Sequence, residues 1–379
     1  DLQKELEEAG HTFKTNCDTE VLIHGYEAWE KDLPTHLRGM FSFAIWDIKE
    51  KKLFCARDFF GIKPFYYYQK DDVFLFSSEI KSFLEHSKFE KKINRDLLAP
   101  FLTFSFTPTR ETFFEGVYRL DAGSYLEYKD GIIEIDKYFV PEFDEQEMSY
   151  NEAVEKIEKV MQDSVERHLT SDVEVGSFLS SGIDSSYIAT LANPDKTYTV
   201  GYDTDQYSEI DYAKNLTDKL GINNTSKKIS MEEYLEIVPK IMYYMDEPIS
   251  DPSAISLYFV ANLASKDVKV ALSGEGADEF FGGYNTYREI VDVSFYNKIP
   301  YALRHMVAKI LEFTPEFRGR NFLVRRGYRL EDSFVGVDRI FSDRECKKVM
   351  SFKSKYDNKA ITRANFDRTK EKNDLIKMQ

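Results

Sequence analysis

Two short segments hold residues suited to chemistry on phosphates. Ser180-Ser181-Gly182-Ile183-Asp184-Ser185-Ser186 follows the apolar run Val173 to Leu179 and precedes the helical pattern Tyr187-Ile188-Ala189-Thr190-Leu191. A strand, a tight turn of small residues and a helix start offer unpaired N–H groups, the positive end of a helix dipole and several hydroxyls. That combination is an anion cradle. A carboxylate inside it, Asp184, makes sense where a cation bridges it to the anion, and Mg²⁺ is the hard, oxygen-seeking ion for that task. No GxxxxGK[ST] occurs in the chain, so the cradle is not a Walker loop. The second segment, Ser273-Gly274-Glu275-Gly276-Ala277-Asp278-Glu279, also ends a strand and runs on to Gly282-Gly283-Tyr284. Its glycines let backbone approach a ligand, while Glu275, Asp278 and Glu279 repel one another unless a metal or a proton separates their roles. Glu279 stands where a dinucleotide fingerprint has its third glycine, which argues against NAD binding.

The elements that must position these segments are legible as alternation and periodicity. From residue 145 the capping box Ser149-Tyr150-Asn151-Glu152 opens a helix with Val154, Ile157, Val160, Met161, Val165 and Leu169 at helical spacing. The strand-like runs 173–179, 197–201 and 268–272 alternate with helices, which predicts an α/β doubly wound parallel sheet. In such a sheet ligands bind at the carboxyl ends of strands, so Asp184 and Asp278 are expected to share one magnesium ion. Residues 1–144 read differently, as α+β rich in antiparallel hairpins. Residues 41–48 and 52–57 turn at Lys49-Glu50-Lys51, 64–68 and 73–76 turn at Asp71-Asp72, and 124–128 and 132–135 turn at Lys129-Asp130-Gly131. Two domains, 1–144 and 145–379, are expected.

Composition narrows the function classes. The chain has 379 residues, 42% of them hydrophobic, enough for more than one core. With 51 Lys+Arg against 66 Asp+Glu the net charge is −15, which repels nucleic-acid backbones and anionic lipid. Neither a nucleic-acid nor a membrane partner is expected. The three cysteines, Cys17, Cys55 and Cys346, form no CxxC or Cys/His cluster, so a disulfide framework and a zinc site are not expected, and the location expected is the cytoplasm. The richest apolar segment, 254–264, is too short to span a bilayer and reads as a buried helix. The six histidines, His11, His24, His36, His86, His168 and His305, show no pairing at metal-ligand spacing and read as structural or solvated.

The two phosphate-type segments together resemble a known family. Residues 180–185 are similar to the pyrophosphate loop (PP-loop) of the N-type ATP pyrophosphatases, and residues 273–279 to the signature of glutamine-hydrolysing asparagine synthetases. In the first domain Thr15-Asn16-Cys17-Asp18-Thr19-Glu20-Val21-Leu22, Gly39-Met40-Phe41-Ser42-Phe43-Ala44 and Arg57-Asp58-Phe59-Phe60-Gly61-Ile62-Lys63-Pro64 resemble class II glutamine amidotransferase domains of the N-terminal-nucleophile type. The resemblance implies ATP-dependent amidation of aspartate to asparagine through a β-aspartyl-AMP intermediate, with ammonia from glutamine and release of AMP and pyrophosphate. It implies ATP and Mg²⁺ as cofactors, and aspartate, ATP and glutamine or ammonia as partners. A homodimer is left open. By residue, it implies that Ser180, Ser181, Gly182, Asp184, Ser185, Ser273 and Gly274 hold the ATP phosphates and that Phe178, Leu179, Val200 and Gly201 line the adenine pocket. Asp184 and Asp278 would ligate the metal, Glu275 would take a proton from the attacking nitrogen, and Asp18 would hold the glutamine amino group.

Departures from the family pattern set further expectations. The family's amidotransferase nucleophile is an N-terminal cysteine, whereas the sequence begins at Asp1, and Cys17 and Cys55 lie in other contexts; glutaminase activity is not expected of these 379 residues. The family's C-terminal Lys- and Arg-containing segment lies beyond Gln379. Ser181 replaces a more usual glycine. Asp246-Glu247-Pro248 is either a substrate-side acidic pair or a helix end broken by proline. Arg57 and Asp58 are expected to shape a turn as an ion pair, Ser78-Glu79-Ile80-Lys81 to form a surface helix, and the cluster Arg318, Arg320, Arg325, Arg326 and Arg329 to be solvated or internally paired. Two alternative functions remain: another amide-forming synthetase, of β-lactam-synthetase type, on the same scaffold, and a non-catalytic ATP-binding regulatory homologue.

Overall fold

The computed structural model describes residues 2–143, 145–203, 209–292, 296, 298–315, 317–334, 336 and 339–378. They form two compact units, Asp1–Phe143 with Asp343–Tyr356, and Asp144–Ser342 with Asp357–Gln379. Asp144, where the expected boundary falls, lies outside the described residues. A single cut there does not describe the first unit, because residues 343–356 are part of it.

Seven strands build two antiparallel sheets in the first unit: β1 (Ser42–Asp47), β2 (Lys52–Arg57), β3 (Tyr66–Lys70), β4 (Val73–Ser77), β5 (Val117–Arg119), β6 (Ser124–Lys129) and β7 (Ile132–Lys137). Their orders are β1-β2-β6-β7 and β4-β3-β5. The three hairpins close where expected, at Lys51, Asp71 and Asp130-Gly131, all with positive φ, which matches the twist of tight hairpins. Cys55, Tyr67 and Leu126, one from each of β2, β3 and β6, share a core with Phe65 and Leu120. Phe74 of β4 stacks on Tyr128 of β6 at 4.3 Å, tying the sheets together. Neighbouring Phe54 and Ala56 of β2 point the other way and are also fully buried. Tyr26, from the helix Asp18–Trp29, covers Phe54 with ring centroids 5.3 Å apart. The helix that begins with Asp18 is thereby held on the outer face of the first sheet. The segment 78–81 is not a surface helix: Ile80 begins a 3-10 turn, Ile80–Glu85, and is buried with Tyr68, Phe83 and Val117.

The second unit carries β8 (Val175–Phe178), β9 (Lys196–Tyr202), β10 (Asn223–Ile229) and β11 (Val270–Leu272), all parallel, in the order β10-β9-β8-β11. From β8 the chain steps outward to β9 and β10, then crosses back to the far side of β8 for β11. Strand order therefore reverses between β8 and β11, the kind of switch point at which open α/β sheets bind ligands. Both capping boxes form. Ser149 Oγ accepts from Glu152 N–H, Ser230 Oγ accepts from Glu233 N–H, and each glutamate accepts from the serine N–H in return. Helix Ser253–Ala264 buries Val260 and Ala264 against Tyr198, while Leu179, Ala189 and Ala213 form a separate cluster. Strand β10 has no apolar alternation; it is an edge strand, and Asn224 Nδ2 donates to the hydroxyls of Thr197 and Thr199 at 3.0 Å each. Among the described residues no helix is long and apolar enough to cross a membrane.

Candidate active site

The register of β11 on β8, with Leu272 beside Ser177, makes the two phosphate-type segments leave the sheet side by side. Their loops then touch. A Cβ built on Gly274 would lie 2.9 Å from Ser185 N, 3.0 Å from the Asp184 carbonyl carbon and 3.1 Å from Asp184 Cβ. Only a residue without a side chain allows this approach, so Gly274 brings the second loop onto the first turn of helix Ile183–Ala192.

That first turn is shaped for an anion. Its N-cap, Gly182, supplies no side-chain acceptor, and the Ser180 and Ser185 hydroxyls lie 2.8 Å apart. Ser180 N–H donates to Ser185 Oγ at 3.1 Å and Gly182 N–H to Ser180 Oγ at 3.0 Å, which folds the turn tightly. A carboxylate already uses the cradle: Glu209 Oε2 accepts from Ser181 N–H at 3.3 Å. Sequence reasoning missed Glu209, and no spacing signal marks it, because the contact spans 28 residues. Ser181 and Gly182 are exposed and Asp184 is half-buried, so the turn is open to a ligand.

Strand β11 leads into Ser273 and Glu275, both exposed, and then into the short helix Ala277–Phe281. Its N-cap, Gly276, has φ +91°, a conformation that other residues adopt at a cost. Asp278 is half-buried against Gly283: a Cβ there would fall 1.9 Å from Asp278 Oδ1. Tyr284 donates from its hydroxyl to Glu279 Oε1 at 2.6 Å. That bond raises the phenol pKa above its ordinary value, with burial adding to the effect, so the phenol stays protonated and Glu279 is committed to it. Of the three clustered acids, Glu279 thus has a partner of its own.

The residues expected around adenine divide. Leu179 directs its side chain into the core with Ala189 and Ala213, and its carbonyl accepts from Thr199 Oγ1 at 2.9 Å. Phe178 and Val200 lie against the Tyr198–Val260 cluster, and Gly201 is buried. These four occupy the carboxyl-terminal halves of β8 and β9 or the residue just beyond. After helix Met231–Met245, Asp246 adopts φ +63° and Glu247 is buried, so the chain turns sharply there and places an acid inside.

In the first unit Asp18 is exposed in the first turn of its helix, accepting from Thr19 Oγ1 at 3.4 Å. Arg57 and Asp58 shape the turn by bonding backbone groups and not, as expected, as an ion pair with each other. Arg57 donates to the carbonyls of Gly61, Lys63 and Leu120, and Asp58 accepts from the N–H groups of Phe60, Ile62 and Lys63. The histidine expectation needs correction. His11 and His24 meet, with Nδ1 atoms 3.3 Å apart, because the loop after the helix Leu2–Glu8 folds back on the helix Asp18–Trp29. In the arginine cluster Arg320 donates to the carbonyls of Leu311 and Glu312, closing the helix Tyr301–Leu311.

Comparison with known proteins finds two family models in the chain. The asparagine synthase family model matches residues 156–365, more than half of the chain, and a glutamine amidotransferase domain model matches residues 1–139. The chain is 40% identical to asparagine synthetase [glutamine-hydrolyzing] 1 of Bacillus subtilis, across 100% of this chain and 61% of that protein. It is 38% identical to a putative asparagine synthetase [glutamine-hydrolyzing] of Mycobacterium bovis, across 92% of this chain and 56% of that protein. The chain therefore spans about three-fifths of the length of these relatives.

Proposed function

We propose, from the premise that this chain belongs to the asparagine synthase family, that it serves ATP-dependent amidation of aspartate to asparagine, with glutamine as the nitrogen donor. The observation that carries the reading is the contact of Gly274 with the Asp184–Ser185 turn at the switch point between β8 and β11. It sets the anion cradle and the acidic loop side by side.

Ser180, Ser181, Gly182 and Ser185 hold the pyrophosphate portion of ATP through N–H groups and hydroxyls, with Ser273 and Gly274 closing the other side. The Glu209 contact supports this, since an anionic oxygen is within bonding distance of that backbone. Phe178, Leu179, Val200 and Gly201 border the adenosine end, Leu179 through its backbone. Asp184 and Asp278 present hard carboxylate oxygens, the donor type that suits Mg²⁺. When bound, that ion offsets the phosphate charge and favours pyrophosphate as a leaving group. The aspartate side-chain carboxylate attacks the α-phosphorus, and the site contributes chiefly alignment and charge stabilisation. Ammonia then attacks the activated carbonyl, Glu275 accepts its proton, and AMP departs. On the first unit Asp18 holds the α-amino group of glutamine.

The test is pyrophosphate release from ATP and Mg²⁺ with ammonia and a panel of amino acids. Release with aspartate, lost in Asp184→Asn and Asp278→Asn, is the expected result. Release only with a different carboxylate would assign another amide-forming synthetase. ATP binding without release under any acceptor would assign a regulatory ATP-binding role.

A further inference from the structure

We propose that His11, His24 and Glu27 form a site for one divalent transition-metal ion of the zinc class on the first unit. The helix Asp18–Trp29 puts His24 and Glu27 three residues apart, on one face. His11 arrives from the preceding loop, whose N–H bonds back to Leu6 O at 3.0 Å and fixes its entry. Three donor atoms converge. His11 Nδ1 is 3.3 Å from His24 Nδ1 and 3.5 Å from Glu27 Oε2, and His24 Nδ1 is 3.1 Å from Glu27 Oε2. A tetrahedral ion with bonds of about 2.0–2.1 Å sets its donors roughly 3.4 Å apart, close to each side of this triangle. An imidazole pair with carboxylate is a donor set that such ions favour.

The surroundings orient the ligands as a metal site requires. Glu20 Oε1 lies 3.7 Å from His24 Nε2, on the side of the ring away from the triangle, where an outer carboxylate can support a liganded imidazole. Glu20 is anchored by Thr15 Oγ1 at 2.5 Å and by the N–H groups of Lys14 and Thr15. Phe13 meets the His24 ring edge-on at 4.7 Å and holds its plane. The imidazole side chains are 21% and 18% exposed and Glu27 59%, so solvent reaches the triangle from the Glu27 side. A bound ion would clamp the segment from His11 to Cys17 onto the helix whose first residue is Asp18.

Titration of the protein with Co²⁺ alone, followed by its visible d–d absorption, and with Zn²⁺ in competition, tests the site. One tetrahedral-type Co²⁺ is expected in the wild type and equally in the Asp184→Asn/Asp278→Asn double variant, which removes the other candidate divalent site. His11→Ala and His24→Ala should lose that spectrum, and Glu20→Gln should weaken binding about 10- to 100-fold. Glu27→Gln, on the exposed side where no packing changes, should weaken it as well, so the outcome does not depend on how the histidine variants fold. A wild type without tetrahedral Co²⁺ absorption, or a spectrum unchanged in both Glu27→Gln and the histidine variants, overturns the proposal and leaves the triangle as a hydrogen-bonded cluster sharing a proton.

Discussion

Replacing Gly274 with alanine adds one methyl group at the point where the two phosphate-type loops meet. The new Cβ would stand 2.9 Å from Ser185 N and 3.0 Å from the Asp184 carbonyl carbon, closer than van der Waals contact and against backbone rather than a movable side-chain tip. Gly274 is not among the glycines with positive φ, so alanine tolerates the torsion and the penalty is steric alone. Overpacking of this kind costs about 1–3 kcal/mol. Relief requires the helix start or the Ser273–Glu275 loop to retreat, and either motion pulls donors away from the phosphates. If the whole cost falls on the bound geometry, Mg-ATP affinity drops roughly 5- to 150-fold. Calorimetric titration of Mg-ATP into wild type and Gly274→Ala measures this, with urea midpoints reporting how much of the cost falls on folding. Unchanged affinity together with an unchanged midpoint would refute the close contact and, with it, the proposed shared site.

Glu275→Gln should leave adenylate formation intact and slow amide formation by about 10²- to 10⁴-fold, read by rapid quench; amide formation at the wild-type rate would remove the base assignment. Asp58 is 1% exposed and accepts three backbone N–H bonds, so Asp58→Ala should cost roughly 2–4 kcal/mol in urea unfolding, and Asp58→Asn less because its carbonyl still accepts. Residues 354–356 bond to Asp96 and Glu111, with Lys355 Nζ 3.0 Å from Glu111 Oε1 and the Tyr356 hydroxyl donating to Oε2. Burial raises the Glu111 pKa but is outweighed by hydrogen bonds from Tyr356, Lys355 and Asn94, so the net shift is downward. With the folded value below the unfolded one, this tether is present above the ordinary carboxylate pKa and is lost as pH falls through the lowered value. Hydrogen-exchange protection in 343–356, the rate measured relative to the intrinsic rate at each pH, should therefore be high at neutral pH, lower in Glu111→Gln, and lower on acidification; equal protection in Glu111→Gln and wild type would show that the tether does not hold the segment.

What the sequence made legible was local. Turn residues at Lys51, Asp71 and Asp130-Gly131 announced the hairpins, and Ser149 and Ser230 with their glutamates announced two helix starts, since each signal lies within a few residues. The Ser180–Ser186 and Ser273–Glu279 segments were visible for the same reason. What escaped depends on tertiary neighbours. Strand β10, Asn-Asn-Thr-Ser-Lys-Lys-Ile, has no apolar period because it lies at the sheet edge, and its Asn224 bonds across to β9. The segment 343–356 joins the first unit from across the chain, placing buried Cys346 with Thr103 at 3.7 Å. Glu209 reaches the phosphate-type turn, and His11 reaches His24, through folds that no short spacing rule encodes. Leu179's place in the motif marks its backbone, while its side chain completes the core beneath.

Activation of aspartate as an adenylate is tested most directly with aspartate labelled with ¹⁸O in its side-chain carboxylate, incubated with ATP, Mg²⁺ and ammonia. Attack of that carboxylate on the α-phosphorus, followed by ammonia at the carbonyl, leaves one carboxylate oxygen on AMP. The expected result is ¹⁸O in AMP in equal amount to the asparagine formed, abolished in Asp184→Asn. Unlabelled AMP accompanying asparagine, or ADP with ¹⁸O in inorganic phosphate, would contradict it.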